Sequence, residues 1–174
     1  MAPPRPHCPL FFTVCLAARG LPALIDHLEI LRHAVRETRR DRPFEILAWV
    51  VLPDHMHAVW RLPADDLNYS QRWGRIKARF SRDACRAGLL ASPRAAARKG
   101  ESGIWQQRFC EHYCRDRTDL ERHIHYCWLD PVKHGLAATP TEWQATSIHR
   151  DIRLGRVAPD WAVMPVEGVF GEAA

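Results

Sequence analysis

The chain has 174 residues, 47% of them hydrophobic and 26% charged, with a mean hydropathy of −0.33. That is one domain's worth of sequence with enough apolar material for its own core, and no stretch reaches the length of a membrane span. The formal net charge of +5 favours an anionic partner. The excess is concentrated: Ser70 to Lys99 holds nine Lys or Arg against one acid, Asp83, whereas Val157 to Ala174 holds three acids and no base. The start, MAPPRPHCPLFF, lacks the long apolar segment of a secretion signal, so a cytoplasmic location is expected. None of the six cysteines forms a CxxC pair, and reduced thiols are expected. Cys110 and Cys114 lie near several histidines, which leaves a zinc site open, although their spacing is wrong for a knuckle.

In chain order, LFFTVCL at 10–16 reads as a strand and 17–22 as a turn around Gly20. Leu24, Leu28, Leu31 and Val35 recur at helical spacing, predicting one amphipathic helix that ends before Pro43. FEILAWVVL at 44–52 is a second strand, expected to be buried on both faces. Pro53-Asp54 turns the chain into HMHAVWRL at 55–62, a third strand with a polar start. Trp73, Ile76 and Phe80 predict a helix over 70–85. Gly88 to Gly103 reads as a mobile basic loop, 104–114 as a fourth strand, and 118–130 as a helix stopped by Pro131. The order β-α-β-β-α-β followed by one more helix is the ferredoxin-like split arrangement, an α+β fold with an antiparallel sheet covered by helices. Residues 1–136 are taken as the core unit and 137–174 as an extension packing back on it.

Three groups of residues could carry chemistry. His55 and His57 are i and i+2 of a strand, so both imidazoles stand on one face and could share a metal ion. They could equally be two hydrogen-bonded residues at a strand start. Tyr126 lies about 200° round the final helix from Ile124, which turns it away from the stripe of Leu120, Ile124 and Cys127. Asp130 follows one turn later on the same side. A tyrosine, with a pKa near 10, needs help to attack a phosphodiester, and a metal completed by Asp130 could supply it. An ordinary surface tyrosine and a solvated helix end explain the pair as well. Arg72, Arg75, Arg79, Arg82 and Arg86 fall at spacings of three and four, with Lys77 among them, a stripe that suits the DNA backbone. Its alternative is a solvated charged face, although such faces usually mix signs.

Five segments give the chain a resemblance: FFTVCL at 11–16, RPFEILAWVVLPDHMHAVWRLP at 42–63, WGRIKARF at 73–80, IWQQRFCEHYCR at 104–115 and HIHYCWLDPVKHGL at 123–136. Together they resemble the REP-associated tyrosine transposases of the HUH superfamily, over roughly residues 10 to 161. The resemblance implies that His55 and His57 bind a divalent metal, Mg²⁺ or Mn²⁺, and that Tyr126 is the nucleophile. In that family Asn usually precedes the PVKHG proline and completes the metal site; here Asp130 stands in its place. The resemblance further implies a monomer or homodimer that recognises hairpins of repetitive extragenic palindromes. It implies cleavage of single strands through a 5′-phosphotyrosine, in a nucleoid-associated setting with no membrane. A non-catalytic DNA-binding regulator of such repeats and a zinc-stabilised nucleic-acid module are the rival readings; Asp130 favours the first, and the lack of CxxC argues against the second.

Overall fold

The computed structural model describes residues 8–88 and 103–161, so the expected basic loop lies largely outside the described residues. The elements run β1 (Leu10–Cys15), α1 (Ala23–Asp26), α2 (Leu28–Asp41), β2 (Glu45–Val51), β3 (His55–Arg61), α3 (Tyr69–Arg86), β4 (Cys110–Tyr113), α4 (Arg117–Lys133) and α5 (Ile148–Arg153). The strands form one sheet in the order β2-β3-β1-β4, antiparallel at every pairing. This is the ferredoxin-like order, with α4 as the added helix.

Alternation along the strands creates two cores. Leu10, Phe12 and Val14 of β1 and Met56, Ala58 and Trp60 of β3 face α2 and α3. Trp60 stacks on Trp73 of α3, with ring centroids 4.2 Å apart. Phe11, Ala48, Val50 and Val59 face the other way and pack against Tyr126, Cys127 and Trp128 of α4. The side chains on α4 are therefore held against the side of β3 that carries His55 and His57.

The structure departs from the expected elements in four places. The first helix is broken at His27 into α1 and α2. β2 is an edge strand with Glu45 exposed and Ile46 and Leu47 half-buried, and its register shifts between Ile46 and Ala48. Only its far end is buried, where residues 145–147 lie alongside it: Val51 N–H donates to Ala145 O (2.8 Å) and Ser147 N–H to Trp49 O (2.9 Å). The fourth strand shrinks to Cys110–Tyr113, because Trp105 meets β1 through a separate bridge at Leu16. Finally, Pro131 sits inside α4, which runs on to Lys133. A proline in the last turn forfeits one amide bond only, and the helix then closes on Gly135 at φ +67°, with Leu136 N–H on Pro131 O and Gly135 N–H on Val132 O. Among the described residues no helix is long and apolar enough to cross a membrane.

Candidate active site

β3 presents His55 and His57 side by side, as the two-residue period requires, with ring centroids 5.2 Å apart. Across from them α4 places Asp130, which is 1% exposed. Asp130 Oδ2 lies 3.2 Å from His57 Nε2 and 3.7 Å from His55 Nε2. On the other carboxylate oxygen, His134 Nε2 approaches to 3.5 Å from one helical turn further on. Neither Asp130 oxygen accepts a hydrogen bond of good geometry, although both are shut off from solvent. Imidazole nitrogens and carboxylate oxygens that crowd together without forming well-aligned hydrogen bonds have the arrangement a cation would complete. His55, Asp130 and His134 bring ligand atoms within 4.8 Å of one another, so the residues present fit a divalent ion.

The electrostatics agree with this geometry. Burial would raise the Asp130 pKa, but the His55 and His57 imidazoles outweigh it and hold the carboxyl well below its usual range. Burial would lower the His55 pKa, but Asp130 and then Asp54 outweigh it and leave it raised. Both shifts express a demand for positive charge at one point. The rings are also oriented from behind. His55 Nδ1 donates to Asp54 Oδ1 at 2.7 Å, while Asp54 Oδ2 accepts from Gly20 N–H at 2.6 Å and pairs with Arg19 Nε at 3.1 Å. His57 Nδ1 bonds the Thr13 hydroxyl at 2.9 Å. Anchoring each Nδ1 leaves Nε2 facing the cluster.

Tyr126 is brought to the same place, but by a different route from the expected one. It is 4% exposed and belongs to the core beneath α4, not to an outward polar face. The buried residues of the helix are Asp119, His123, Tyr126, Cys127, Trp128, Asp130 and Pro131, whereas Leu120 and Ile124 are only partly buried. The face on the sheet is thus mixed: Cys127 of the expected stripe is fully buried and Leu120 and Ile124 pack partly against the same core, but Tyr126 and Asp130 are buried there too instead of facing away. The Tyr126 ring stands edge-on to His57, centroids 5.1 Å apart, and to Phe11 at 5.8 Å. Its hydroxyl accepts from Lys133 Nζ at 3.5 Å, and the same ammonium lies 5.2 Å from the ring centroid.

The cationic stripe on α3 is spent very differently. Arg72, expected to contact DNA, is 0% exposed. Its guanidinium donates to Asp66 O, Asn68 O and Pro43 O at 2.9–3.1 Å and pairs with the Asp66 carboxylate, so it ties loops together and is removed from the DNA surface. Arg75 and Arg79 both reach across to Asp41 of α2. Lys77 donates to Gln106 O and sits near the Trp105 and Phe109 rings; burial lowers its pKa to about 8. Arg82 and Arg86 share Asp83 on their own helix. Sequence reasoning counted arginines without seeing the acids that α2 and the 63–68 loop bring to them.

It also missed His134, Lys133, Asp54 and Thr13. His134 was visible as the i+4 neighbour of Asp130, and Asp54 as the residue preceding His55. Thr13 and Lys133 needed the β1–β3 register and the position of Pro131 within the helix.

A ferredoxin-like sheet bearing paired histidines, faced by a helix that carries a tyrosine and a buried carboxylate one turn apart, defines the tyrosine nucleases of the HUH superfamily. No model of a known protein family matches the chain. It is 42% identical over 152 residues to a REP-associated tyrosine transposase of Escherichia coli K12, covering 87% of this chain and 83% of that protein. It is 37% identical over 162 residues to a putative REP-associated tyrosine transposase of Haemophilus influenzae Rd, covering 93% and 92%. A solved structure of a REP-associated tyrosine transposase bound to a REP hairpin superposes with a TM-score of 0.84 at 38% identity, over 100% of this chain and 99% of that one. The chain belongs to the REP-associated tyrosine transposases, and it is accordingly an enzyme that nicks and rejoins DNA through a tyrosine.

Proposed function

We propose that the chain cleaves and rejoins single-stranded DNA beside the hairpins of repetitive extragenic palindromes, with Tyr126 as nucleophile and Mg²⁺ or Mn²⁺ held by His55, His57 and Asp130, assisted by His134. The observation that carries this reading is the meeting of the Tyr126 ring with His57 at the edge of a buried, cation-seeking carboxylate. The relative captured on a REP hairpin supports the choice of DNA. When bound, the ion would polarise the scissile phosphate and offset its developing charge.

The chain's own residues account for the rest. The Tyr126 oxygen forms a bond to phosphorus as the bond to the 3′-oxygen breaks; the phenol proton is lost and the departing 3′-oxygen gains one. Lys133 Nζ, 3.5 Å from the hydroxyl, is placed to offset negative charge that develops around the attacking oxygen. Phe11 and His57 wall the ring in, which fixes the direction of attack. Rejoining is the reverse, with a 3′-hydroxyl attacking the phosphotyrosine. Of the α3 cations, Arg82 and Arg86 at its exposed end are the best placed to meet phosphates. In this reading residues 1–136 form the catalytic unit and 137–174 an extension.

The test is incubation with an end-labelled hairpin carrying a single-stranded foot, with Mn²⁺, followed by denaturing electrophoresis. A covalent adduct is expected from the unmodified chain and none from Tyr126→Phe, which keeps the ring packing and loses the oxygen. Undiminished adduct in Y126F would refute the nucleophile. Binding without adduct in either metal would make the chain a regulator of the repeats.

A further inference from the structure

A second concave surface lies across the sheet from Tyr126. Ile46 and Trp49 of β2 turn toward the α2 side, away from the core that holds Tyr126. There they floor a cleft of about 400 Å³ between α2 and α5. Arg32, Arg39, Arg150 and Arg153 line it, and no carboxylate does. A cavity of similar size on the other side of β2 is lined by Glu45, Glu121 and Asp151 against Arg156, so the two differ in sign as well as in place.

Bonds to backbone carbonyls hold two of these cations, Arg150 and Arg39. Arg150 donates to Ile46 O and Leu47 O, each at 2.7 Å, and shares its second nitrogen with Asp151, which lies outside the cleft lining. Arg39 Nε donates to Phe44 O at 3.1 Å, leaving the rest of its fork available. Among the described residues Arg32 pairs with Glu29 alone, a carboxylate 74% exposed. Arg153 has no carboxylate within salt-bridge distance among the described residues. Like charges gathered around one hollow repel each other, and an anion there relieves the repulsion. On α3 Asp41 and Asp83 answer the arginines, whereas in the cleft Glu29 and Asp151 answer Arg32 and Arg150, and Arg39 and Arg153 have no carboxylate partner among the described residues.

We propose that this cleft grips the sugar–phosphate backbone of the DNA on which the enzyme acts, with Trp49 as an aromatic surface beside the phosphates. The inference rests on the DNA reading above but not on the chemistry assigned to Tyr126. Backbone from the hairpin stem and from the flanking single strand would offer the same anion.

The test uses the full chain and fluorescence anisotropy across a salt series. The DNAs are a hairpin with a single-stranded foot, the same hairpin without it, and an unrelated single strand. Arg32→Gln with Arg153→Gln removes two charges and no hydrogen bond to a buried carbonyl. Arg117→Gln with Arg122→Gln removes the same charge at a distance, and R32K/R153K preserves it. The R32Q/R153Q chain is expected to lose about tenfold in affinity. Its log–log salt slope should become shallower by up to about 1.4–1.8, at 0.7–0.9 per phosphate contact. The R32K/R153K and R117Q/R122Q chains should keep the parent slope. A change on the footless hairpin places the stem in the cleft; a change only where a single strand is present places the flank there. An unchanged slope on all three DNAs, or an equal change in R117Q/R122Q, overturns the proposal. Adduct formation by the parent is scored in parallel. If there is no adduct but R32Q/R153Q still weakens binding, the nuclease reading fails and the cleft stands. If the parent binds no DNA even at low salt, both fail.

Discussion

Helix α4 carries two buried aspartates, Asp119 and Asp130, eleven residues and so about three turns apart on the same face. Each has histidines around it, and each group is close enough to hold an ion. They differ in what already satisfies them. Asp119 Oδ2 accepts from Arg115 N–H and His112 Nε2 at 2.9 Å and from Arg115 Nε at 3.2 Å. Burial would raise its pKa, but these donors outweigh it and hold the carboxyl below the usual range. Asp130 has imidazoles at 3.2–3.7 Å and no well-formed hydrogen bond. The same residue types thus make a closed structural knot at one end of the helix and an open cation seat at the other. What separates them is the supply of fixed donors, above all the Arg115 amide and guanidinium.

That contrast breaks most readily at Asp130. Asp130→Ala should lower the cleavage rate on the order of 10³-fold, as for loss of a direct electrostatic stabiliser. Asp130→Asn should be milder, since an amide oxygen still ligates. Initial rates against Mn²⁺ concentration are the measurement, and parent-like metal dependence in D130A would remove Asp130 from the site. One shell further out, Asp54→Asn weakens the hold on His55 and should cost about 10–100-fold in Mn²⁺ affinity, read by calorimetry without DNA. An unaltered affinity would show that Asp54 serves Gly20 and Arg19 alone.

Asp119 should answer in stability instead. Asp119→Asn should cost about 1–3 kcal/mol in urea unfolding, the loss of a charged acceptor from a buried network, while leaving Mn²⁺ affinity unchanged. The sign with pH follows from its lowered pKa. The stabilisation is fully present above the unfolded carboxyl pKa, near 4, and is lost progressively as pH falls toward the folded value. Urea midpoints of parent and D119N should therefore draw together below about pH 4. If they stay parallel down to the acid limit, the ionised form of Asp119 is not what stabilises the fold.

Much of this arrangement could be read from the amino-acid order, and the exceptions have physical reasons. Strand alternation placed His55 and His57 together because a period of two survives whatever lies opposite. Helical periodicity went only part of the way on α4, where Asp119, His123, Tyr126 and Asp130 share the buried face with Cys127 and Trp128. An apolar stripe marks the whole buried face only when that face is apolar throughout, and here the sheet sets His57 among Phe11, Val50 and Val59 opposite α4. On α3 the spacing of Trp73, Ile76 and Phe80 marks the buried face as expected, and the departure is Arg72. Arg72 is long enough to bury its charge against carbonyls from two loops, contacts far apart in the chain that no local count contains. The separation of Asp119 from Asp130 was likewise illegible, because it depends on the Arg115 amide and on a β4 shorter than expected.

The segment alongside β2 has a consequence for how copies of this protein treat one another. Nearly every outward backbone group of that strand is taken. Ile46 O and Leu47 O belong to Arg150, and Trp49 N–H belongs to Ser147 Oγ. Trp49 O accepts from Ser147 N–H, Val51 N–H donates to Ala145 O, and Val51 O accepts from Trp143 Nε1. An open edge of this composition, ILAWVV, is a template for another chain's strand. Residues 143–150 therefore act as a built-in stopper against edge-to-edge aggregation, and a protein cut short before Trp143 would be sticky long before it was unfolded.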